Sequence, residues 1–415
     1  MERPMGNGCM TSINTTVKLR LFQLFMGGTA SNLVKPFFAA TLALGIGSSE
    51  AGTAMMLCGL VALLAGLTGG GHSDVVGRTR ILLCSELIRL VGAAFLLWAF
   101  YGPDTNYLIA VLGFTLHSTG AAYGRSAGDA LLYDNMDESN RKLITRLHYW
   151  VWNFTVLLGY LLGGAFFLDN KPAFFFILFF ISLLDIAIIS QLQEPKFKGT
   201  LTLSNWKLDR IPIYLLKKDR VFRLFIFGSS LQLIVEVGAI SLLSVVFLKE
   251  NILGSLGGYE LTPLVLFSLL ITLNAIVLIS GGLLLMTLFP HTDSQTELWL
   301  GTFFLVLGVL GLFLSPTTPL LIASMVSLSV GELLFKSSRN ETFARLIPGE
   351  RKGAYSSINS SVFRVASAVA PILLVLYDWL SVQQITSTLV VLLITAGFLL
   401  NIVILKQRKE MANVT

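Results

Sequence analysis

Long runs of apolar residues, separated by short polar segments, dominate the chain. A helix needs about 20 mostly apolar residues to cross the roughly 30 Å hydrocarbon core of a bilayer. Twelve runs meet this length, near 21–45, 52–70, 81–101, 107–133, 148–168, 172–193, 221–248, 262–288, 298–315, 318–344, 353–377 and 382–405. They are too long for the alternating strands of a membrane β-barrel. The pattern therefore predicts an all-α polytopic membrane protein with twelve transmembrane helices.

The basic residues between these runs indicate the orientation. Most of the 30 Lys and Arg lie in the two termini and in alternate loops, whereas the other loops contain only Lys171 and Lys249. Cytoplasmic loops are enriched in Lys and Arg. We therefore expect an even number of spans with both termini cytoplasmic, in a multi-pass protein of the bacterial cytoplasmic membrane.

Composition points to the same class. Hydrophobic residues make up 54 % and charged residues 13 %, whereas soluble domains carry about 25 % charged residues. This excludes a soluble enzyme, a disordered protein and a disulfide scaffold. The formal net charge of +6 would suit nucleic acid, but in a membrane protein it reflects basic loops, so we expect no nucleic-acid partner.

The longest polar stretch, 194–220, separates six predicted spans from the next six. We therefore expect an N-terminal six-helix bundle over 1–194, a cytoplasmic linker over 195–220 and a C-terminal six-helix bundle over 221–415. Alternating-access transporters use two such halves around a central polar site. A channel is less favoured, because no short filter-like segment stands out.

The loop after the second span carries a motif in which glycines, an acid and two arginines have regular spacing. Gly77 allows a tight turn with positive φ, and Asp74 suits the positive end of a helix dipole. Arg78 and Arg80 offer cations to a carboxylate or to anionic lipid headgroups. The alternative is a generic basic turn.

The spacing Gly71-x-x-Asp74-x-x-Gly77-Arg78-x-Arg80 resembles the signature loop of the major facilitator superfamily. The resemblance implies a conformational lock made of Gly71, Asp74, Gly77, Arg78, Arg80 and Asp134. In it, Asp74 holds the start of the eleventh span at 352–354, and Arg78 pairs with Asp134 at the end of the fourth span. Val75 departs from the family, because a basic residue is usual there.

Further blocks are similar to the twelve-helix drug:proton antiporters, most of all to LmrP-like multidrug exporters. These blocks are 126–134, 140–142, 149–153, 331–332 and 353–355. The resemblance implies a proton-coupled exporter of amphiphilic small molecules or drugs. It also implies that Glu332 contributes to both drug binding and proton coupling.

Ionisable residues within the spans are functional candidates, because charge is costly inside a bilayer. Glu332 and Glu236 lie near the middle of the tenth and seventh spans, where a carboxyl group can exchange protons near neutral pH or attract a cationic substrate. Asp129 in the fourth span is the third candidate for proton coupling. For Glu332, the alternative is an interhelical hydrogen bond.

The N-terminal half supplies further candidates for substrate binding. Lys35 in the first span and Arg125 in the fourth would attract a carboxylate or phosphate, although Asp129 or Glu236 could neutralise Lys35. Arg125 and Asp129 are four residues apart and can form an ion pair. His148 stands where the LmrP-like pattern has an aspartate, and it can titrate near about pH 6.5.

Two aromatic residues, Trp152 and Tyr123, are candidates for lining an apolar substrate cavity. The alternative for each is a place in the interfacial aromatic belt.

The remaining span charges have simpler interpretations. Glu86 and Arg89 are one turn apart and suit a surface or structural pair. Asp185 stands alone in the sixth span as a functional candidate. Lys336 approaches the inner end of the tenth span, where snorkelling to the interface explains it.

Several kinds of chemistry have no motif in the chain. No Gly-x-x-x-x-Gly-Lys-Ser/Thr loop is present, so ATP is not the direct energy source. No metal-ligand spacing and no nucleophile–base constellation appear. We therefore expect a monomeric transporter rather than an enzyme, without cofactors, whose partners are a small-molecule substrate, protons and membrane lipids. The alternatives are a transporter of an anionic or zwitterionic metabolite read by Lys35 and Arg125, and a non-transporting sensor or lipid-handling protein.

Overall fold

A computed structural model describes residues 14–136, 140–167, 170–194, 214–288, 292–315, 317–347 and 352–412. Helices account for nearly all of these residues. Their bounds are α1 Thr15–Ile46, α2 Ser48–Val76, α3 Arg78–Tyr101, α4 Tyr107–Asp134, α5 Arg141–Phe166, α6 Lys171–Ile189, α7 Tyr214–Lys218, α8 Arg220–Lys249, α9 Pro263–Leu288, α10 Ser294–Leu314, α11 Thr318–Leu346, α12 Lys352–Val369, α13 Ile372–Tyr377 and α14 Val382–Ala412. This confirms the helical prediction.

One element departs from the prediction, because the connection between α8 and α9 contains a β-hairpin. Strands β1 (Gly254–Leu256) and β2 (Tyr259–Leu261) pair antiparallel. Gly257 and Gly258 form the turn with φ angles of 58° and 86°, values that glycine adopts without steric cost.

Nine candidate spans in the described ranges are long and apolar enough to cross a membrane. One of them, Ile358–Tyr377, joins α12 and α13 across Pro371, which interrupts the helix because proline lacks the N–H that the ladder needs. Helices α1, α4 and α5 have 32, 28 and 26 residues. They are also long enough to span a bilayer at 1.5 Å rise per residue, but they are more polar.

The chain divides into two compact units. The first comprises the described residues of Met1–Val34, Val61–Gly159 and Phe167–Lys207, and the second those of Lys35–Leu60, Tyr160–Phe166 and Leu208–Thr415. Most of the predicted linker 195–220 lies outside the described residues, so the bundle boundaries remain a prediction.

Glycines allow the closest helix contacts in each unit. In the first, a Cβ at Gly92 of α3 would overlap the backbone of His117 in α4, and one at Gly113 would overlap that of Leu96. In the second, α10 and α11 approach each other in the same way, with Gly301 against the backbone of Phe335. Small residues permit such backbone contact between membrane helices.

Candidate functional site

The motif loop forms a sharp corner between α2 and α3. Gly77 has a φ of 109°, which a residue with a side chain adopts only with strain. Arg78 then begins α3 and forms an ion pair with Asp134 at the end of α4, as the family resemblance implies. Arg78 also lies 3.8 Å from the exposed carboxylate of Asp74.

Arg80 and Gly71 of the predicted lock have open surroundings. Arg80 is exposed, and a Cβ added at Gly71 would meet nothing within 4 Å. The side chains of 352–354, the predicted partners of Asp74, lie outside the described part of the chain.

Glu194, which sequence analysis missed, completes this corner. Its carboxylate accepts hydrogen bonds from the backbone N–H groups of Arg78 at 2.7 Å and Thr79 at 2.8 Å. The first N–H groups of a helix have no partner in the helix and favour an anion. Since Gly77 has no side chain to cap α3, Glu194 takes this role. The available signal was an acid shortly after α6, at the start of the basic stretch.

The two predicted carboxylates of the C-terminal half meet on one ammonium group. Glu236 lies on α8, and Glu332 lies on α11 four residues before Lys336. Lys336 Nζ is 3.1 Å from Glu236 Oε1 and also contacts Glu332 Oε1. Glu332 is only 5 % exposed. The snorkelling interpretation of Lys336 is therefore wrong, because its ammonium group turns toward two carboxylates instead of the interface.

Amide and hydroxyl groups complete this carboxylate–lysine cluster of Glu236, Glu332 and Lys336. From α9, Asn274 donates to Ser329 at 2.9 Å and to Glu332 at 3.4 Å. From α8, Gln232 donates to Glu236 at 2.7 Å and accepts from Arg339 at 3.3 Å. Three helices thus bring carboxylate oxygens together with the ammonium group of Lys336, which suits reversible binding of a proton or a cation.

The N-terminal candidates form different pairs from those predicted. Arg125 and Asp129 do not form the expected ion pair in the described structure. The guanidinium of Arg125 lies 4.8 Å above the ring of Trp152, a favourable cation–π geometry. Asp129 Oδ1 lies 3.8 Å from His148 Nε2. The i,i+4 spacing permitted the predicted pair, but partners on α5 replace it.

The other two N-terminal candidates, Tyr123 and Lys35, differ in burial: Tyr123 is half-buried and Lys35 is exposed. Tyr123 forms a hydrogen bond of 2.8 Å with His72, which lies in the motif loop sequence. Lys35 is exposed, four residues beyond Ser31 on α1.

A second buried cluster in the first unit was largely missed. Arg89 lies 2.7 Å from Glu86 and 3.7 Å from Asp185, so Asp185 is not alone as predicted. Arg20 and Gln23 of α1 join them. Arg20 was counted with the N-terminal tail, because the first apolar run was taken to start at residue 21.

Solved structures share this fold. A peptide transporter POT in complex with alafosfalin matches with a TM-score of 0.77 at 13 % sequence identity, covering 94 % of each chain. This likeness is one of fold. The family model described as Major Facilitator Superfamily matches residues 21–371, and the chain belongs to this family. It is accordingly a transporter and not an enzyme.

Two bacterial relatives cover most of the chain. A Na(+), Li(+), K(+)/H(+) antiporter of Planococcus maritimus is 25 % identical over 391 residues, which is 88 % of this chain and 90 % of the relative. An uncharacterized MFS-type transporter, YqjV of Bacillus subtilis, is 23 % identical over 333 residues, which is 79 % of this chain and 78 % of the relative. The superfamily prediction is confirmed, and the resemblance to drug:proton antiporters stays a prediction.

Proposed function

We propose that the chain is a proton-coupled antiporter that exports amphiphilic small molecules by alternating access. The observation that carries this proposal is the contact of one ammonium group, Lys336, with two carboxylates, Glu236 and Glu332. An exchanger driven by a proton gradient needs a group that holds either a proton or the substrate. A carboxylate with an internal, displaceable counter-ion meets this requirement.

The charges of the cluster suggest the exchange step. With both carboxylates ionised, their two negative charges are balanced by Lys336 and by Arg339, which acts on both electrostatically. A cationic group of the substrate then binds Glu332 by displacing Lys336 from it. When Glu332 takes up a proton from outside, it loses its charge while Lys336 stays with Glu236. The cation is released outward, and the proton travels inward with the returning protein.

The proposal includes the architecture that the superfamily resemblance implies. Twelve helices cross a bacterial cytoplasmic membrane with both termini inside, and α12 and α13 form one interrupted span. Arg78 and Asp134 stabilise one conformation at the cytoplasmic face, together with Asp74. The protein works as a monomer among membrane lipids, and its conformational change moves the substrate without a cofactor.

A second candidate function is exchange of a monovalent metal cation for protons. It is favoured by the name of the Planococcus maritimus relative and by the donor set around Glu332. Asn274 lies within hydrogen-bond distance of both Ser329 and Glu332, and carboxylate, amide and hydroxyl oxygens are the ligands that hard cations prefer.

The test is transport by the full chain in proteoliposomes with an imposed proton gradient, with ethidium and Na⁺ as probes. We expect gradient-driven ethidium movement to be lost in Glu332→Gln and Glu236→Gln. The matched control is Glu341→Gln on the same helix as Glu332, whose exposed carboxylate pairs with Arg345. Gradient-driven Na⁺ movement without ethidium movement would support the second candidate instead.

Two results would contradict the antiport proposal. One is unchanged gradient-driven transport in both carboxylate variants. The other is no flux of any probe, which a membrane sensor or lipid-handling protein would give. Lys35→Ala separates the remaining alternative, because loss of acidic-compound transport with unchanged ethidium efflux would indicate an anionic or zwitterionic substrate.

A further inference from the structure

Five polar side chains from three helices meet in the interior of the first unit. They are Arg20 and Gln23 of α1, Glu86 and Arg89 of α3, and Asp185 of α6, and each is at most 8 % exposed. The superfamily signature loop contains none of them, and the proposed transport cycle uses none of them. We call this group the buried N-terminal cluster.

The cluster connects the three helices through Asp185. Its Oδ2 accepts a hydrogen bond from Gln23 at 3.3 Å and lies 3.7 Å from Arg89 Nη1. The same guanidinium group donates to Glu86 at 2.7 Å and to Ser31 of α1 at 3.1 Å. One arginine therefore lies between two carboxylates.

In the described part of the chain, each carboxylate of this cluster has one oxygen atom with a partner and one without. Oδ1 of Asp185 and Oε1 of Glu86 are buried and have no hydrogen-bond partner among the described residues, and the same holds for Oγ of Ser182, one turn before Asp185. A cluster built only to tie helices together would satisfy its buried oxygens, because each one left unsatisfied is costly. The two carboxylate oxygens without a partner are instead able to bind a ligand.

We propose that Asp185, beside Glu86, is a proton-binding site in the N-terminal half, separate from the carboxylate–lysine cluster. A hydronium ion transfers one proton to the free oxygen of the carboxylate: one O–H bond breaks in the hydronium ion, one O–H bond forms on Asp185, and a water molecule leaves. A metal ion does not fit here, because Arg89 occupies the space between the carboxylates and Arg20 adds a second positive charge. A proton needs one oxygen and no coordination cage.

Protonation of Asp185 weakens the attachment of α6 to α3. The charged groups facing Asp185 are Glu86 and Arg89 from α3 and Arg20 from α1, and Asp129 of α4 acts on Arg20 electrostatically. A neutral Asp185 gives up its ion pair, so Arg89 is left to Glu86 and to the α1 groups Ser31 and the Gly27 carbonyl. The strength of the α3–α6 contact thus follows the protonation state.

Infrared difference spectroscopy of the full chain in lipid tests this site without any transport measurement. Protein labelled with ¹³C-carboxyl aspartate is titrated from about pH 5 to about pH 9, a range in which buried carboxyl groups are known to titrate. We expect a carboxylic-acid band that shifts on labelling and is lost in Asp185→Asn. It should persist in Asp129→Asn and in Glu332→Gln.

The labelled unmodified protein decides the question even where Asp185→Asn does not fold, because Asp185 is the only buried aspartate among the described residues. A titrating band that does not respond to aspartate labelling overturns the proposal, as does a labelled band that survives Asp185→Asn. Failure here leaves the proposed antiport intact, since that function depends on Glu236 and Glu332.

Discussion

Lys336 of α11 donates a hydrogen bond to Glu236 of α8 at 3.1 Å, and so neutralises a carboxylate that lies 100 positions earlier in the chain. The same ammonium group contacts Glu332. The substitution Lys336→Gln removes the ammonium group that contacts the buried Glu332 and the partly buried Glu236. Removing one partner of a buried ion pair costs about 3–5 kcal/mol, and we expect about 3 kcal/mol, because 34 % of the Lys336 side chain is exposed.

Thermal unfolding of the purified protein measures this change. Lys336→Arg should keep most of the stability, because it retains the charge. Arg345→Gln is the matched control, since it breaks an exposed pair with Glu341 on the same helix and should cost less than about 1 kcal/mol. Equal losses of stability in Lys336→Gln and Arg345→Gln would show that the buried contact stabilises the protein no more than the exposed pair does.

Three consecutive glycines of α2 predict a graded response to alanine. A Cβ at Gly69 would overlap the backbone of Tyr123, one at Gly70 would lie 3.5 Å from Ser126, and one at Gly71 would meet nothing within 4 Å. Because backbone cannot move aside, Gly69→Ala should cost about 1–3 kcal/mol. Gly71→Ala should stabilise by up to about 1 kcal/mol, since alanine favours the helix.

Melting temperatures of the three variants provide the measurement. The order predicted is Gly69→Ala lowest, Gly70→Ala near the parent and Gly71→Ala highest. A large loss of stability in Gly71→Ala would mean that this glycine serves the conformational lock in another conformation.

The substitution Glu194→Ala tests whether Glu194 caps the N-terminus of α3. Glu194 accepts from the N–H groups of Arg78 and Thr79, so its loss leaves two helix donors without a partner. Loss of a helix N-cap costs about 1 kcal/mol. Chemical unfolding should show this decrease, whereas Gln191→Ala at the same end of α6 should change stability by less than about 0.5 kcal/mol. Equal behaviour of the two variants would refute the capping role.

A surface aspartate gives a pH-dependent prediction. Hydrogen bonds from Thr296 and Arg408 hold the pKa of Asp293 below its usual value. A carboxyl group with a lowered folded-state pKa stabilises the fold above its unfolded pKa of about 3.9, and this stabilisation is lost as the pH falls through the folded value. Asp293→Asn should therefore destabilise at neutral pH by less than about 1 kcal/mol, because the pair is exposed.

The stability difference between parent and Asp293→Asn should disappear in strong acid, where the parent is protonated as well. Asparagine also caps helices, so the variant keeps the N-cap of α10 and removes only the negative charge. Melting curves recorded across the acid range measure the difference. A difference that is independent of pH would show that the Arg408 contact does not stabilise the fold.

Much of the fold follows from local pattern. The apolar runs predicted the helices because a span of about 20 apolar residues is a local requirement of the bilayer. The hairpin of β1 and β2 was missed because its strands have three residues each, too few for a periodic signal. The pair of Arg78 and Asp134 was reached through the family resemblance, not through spacing, because these residues are far apart in the chain.

The sequence by itself determined that this protein is a helical membrane protein and that carboxylates such as Glu236 and Glu332 lie within its apolar segments, because hydropathy and charge are properties of single segments. Only the tertiary structure decided the partners. Lys336 and Asp185 were each assigned the wrong surroundings from one helix alone. Their contacts are made with residues of other helices, and the direction of a side chain toward a neighbour depends on packing that no single segment contains.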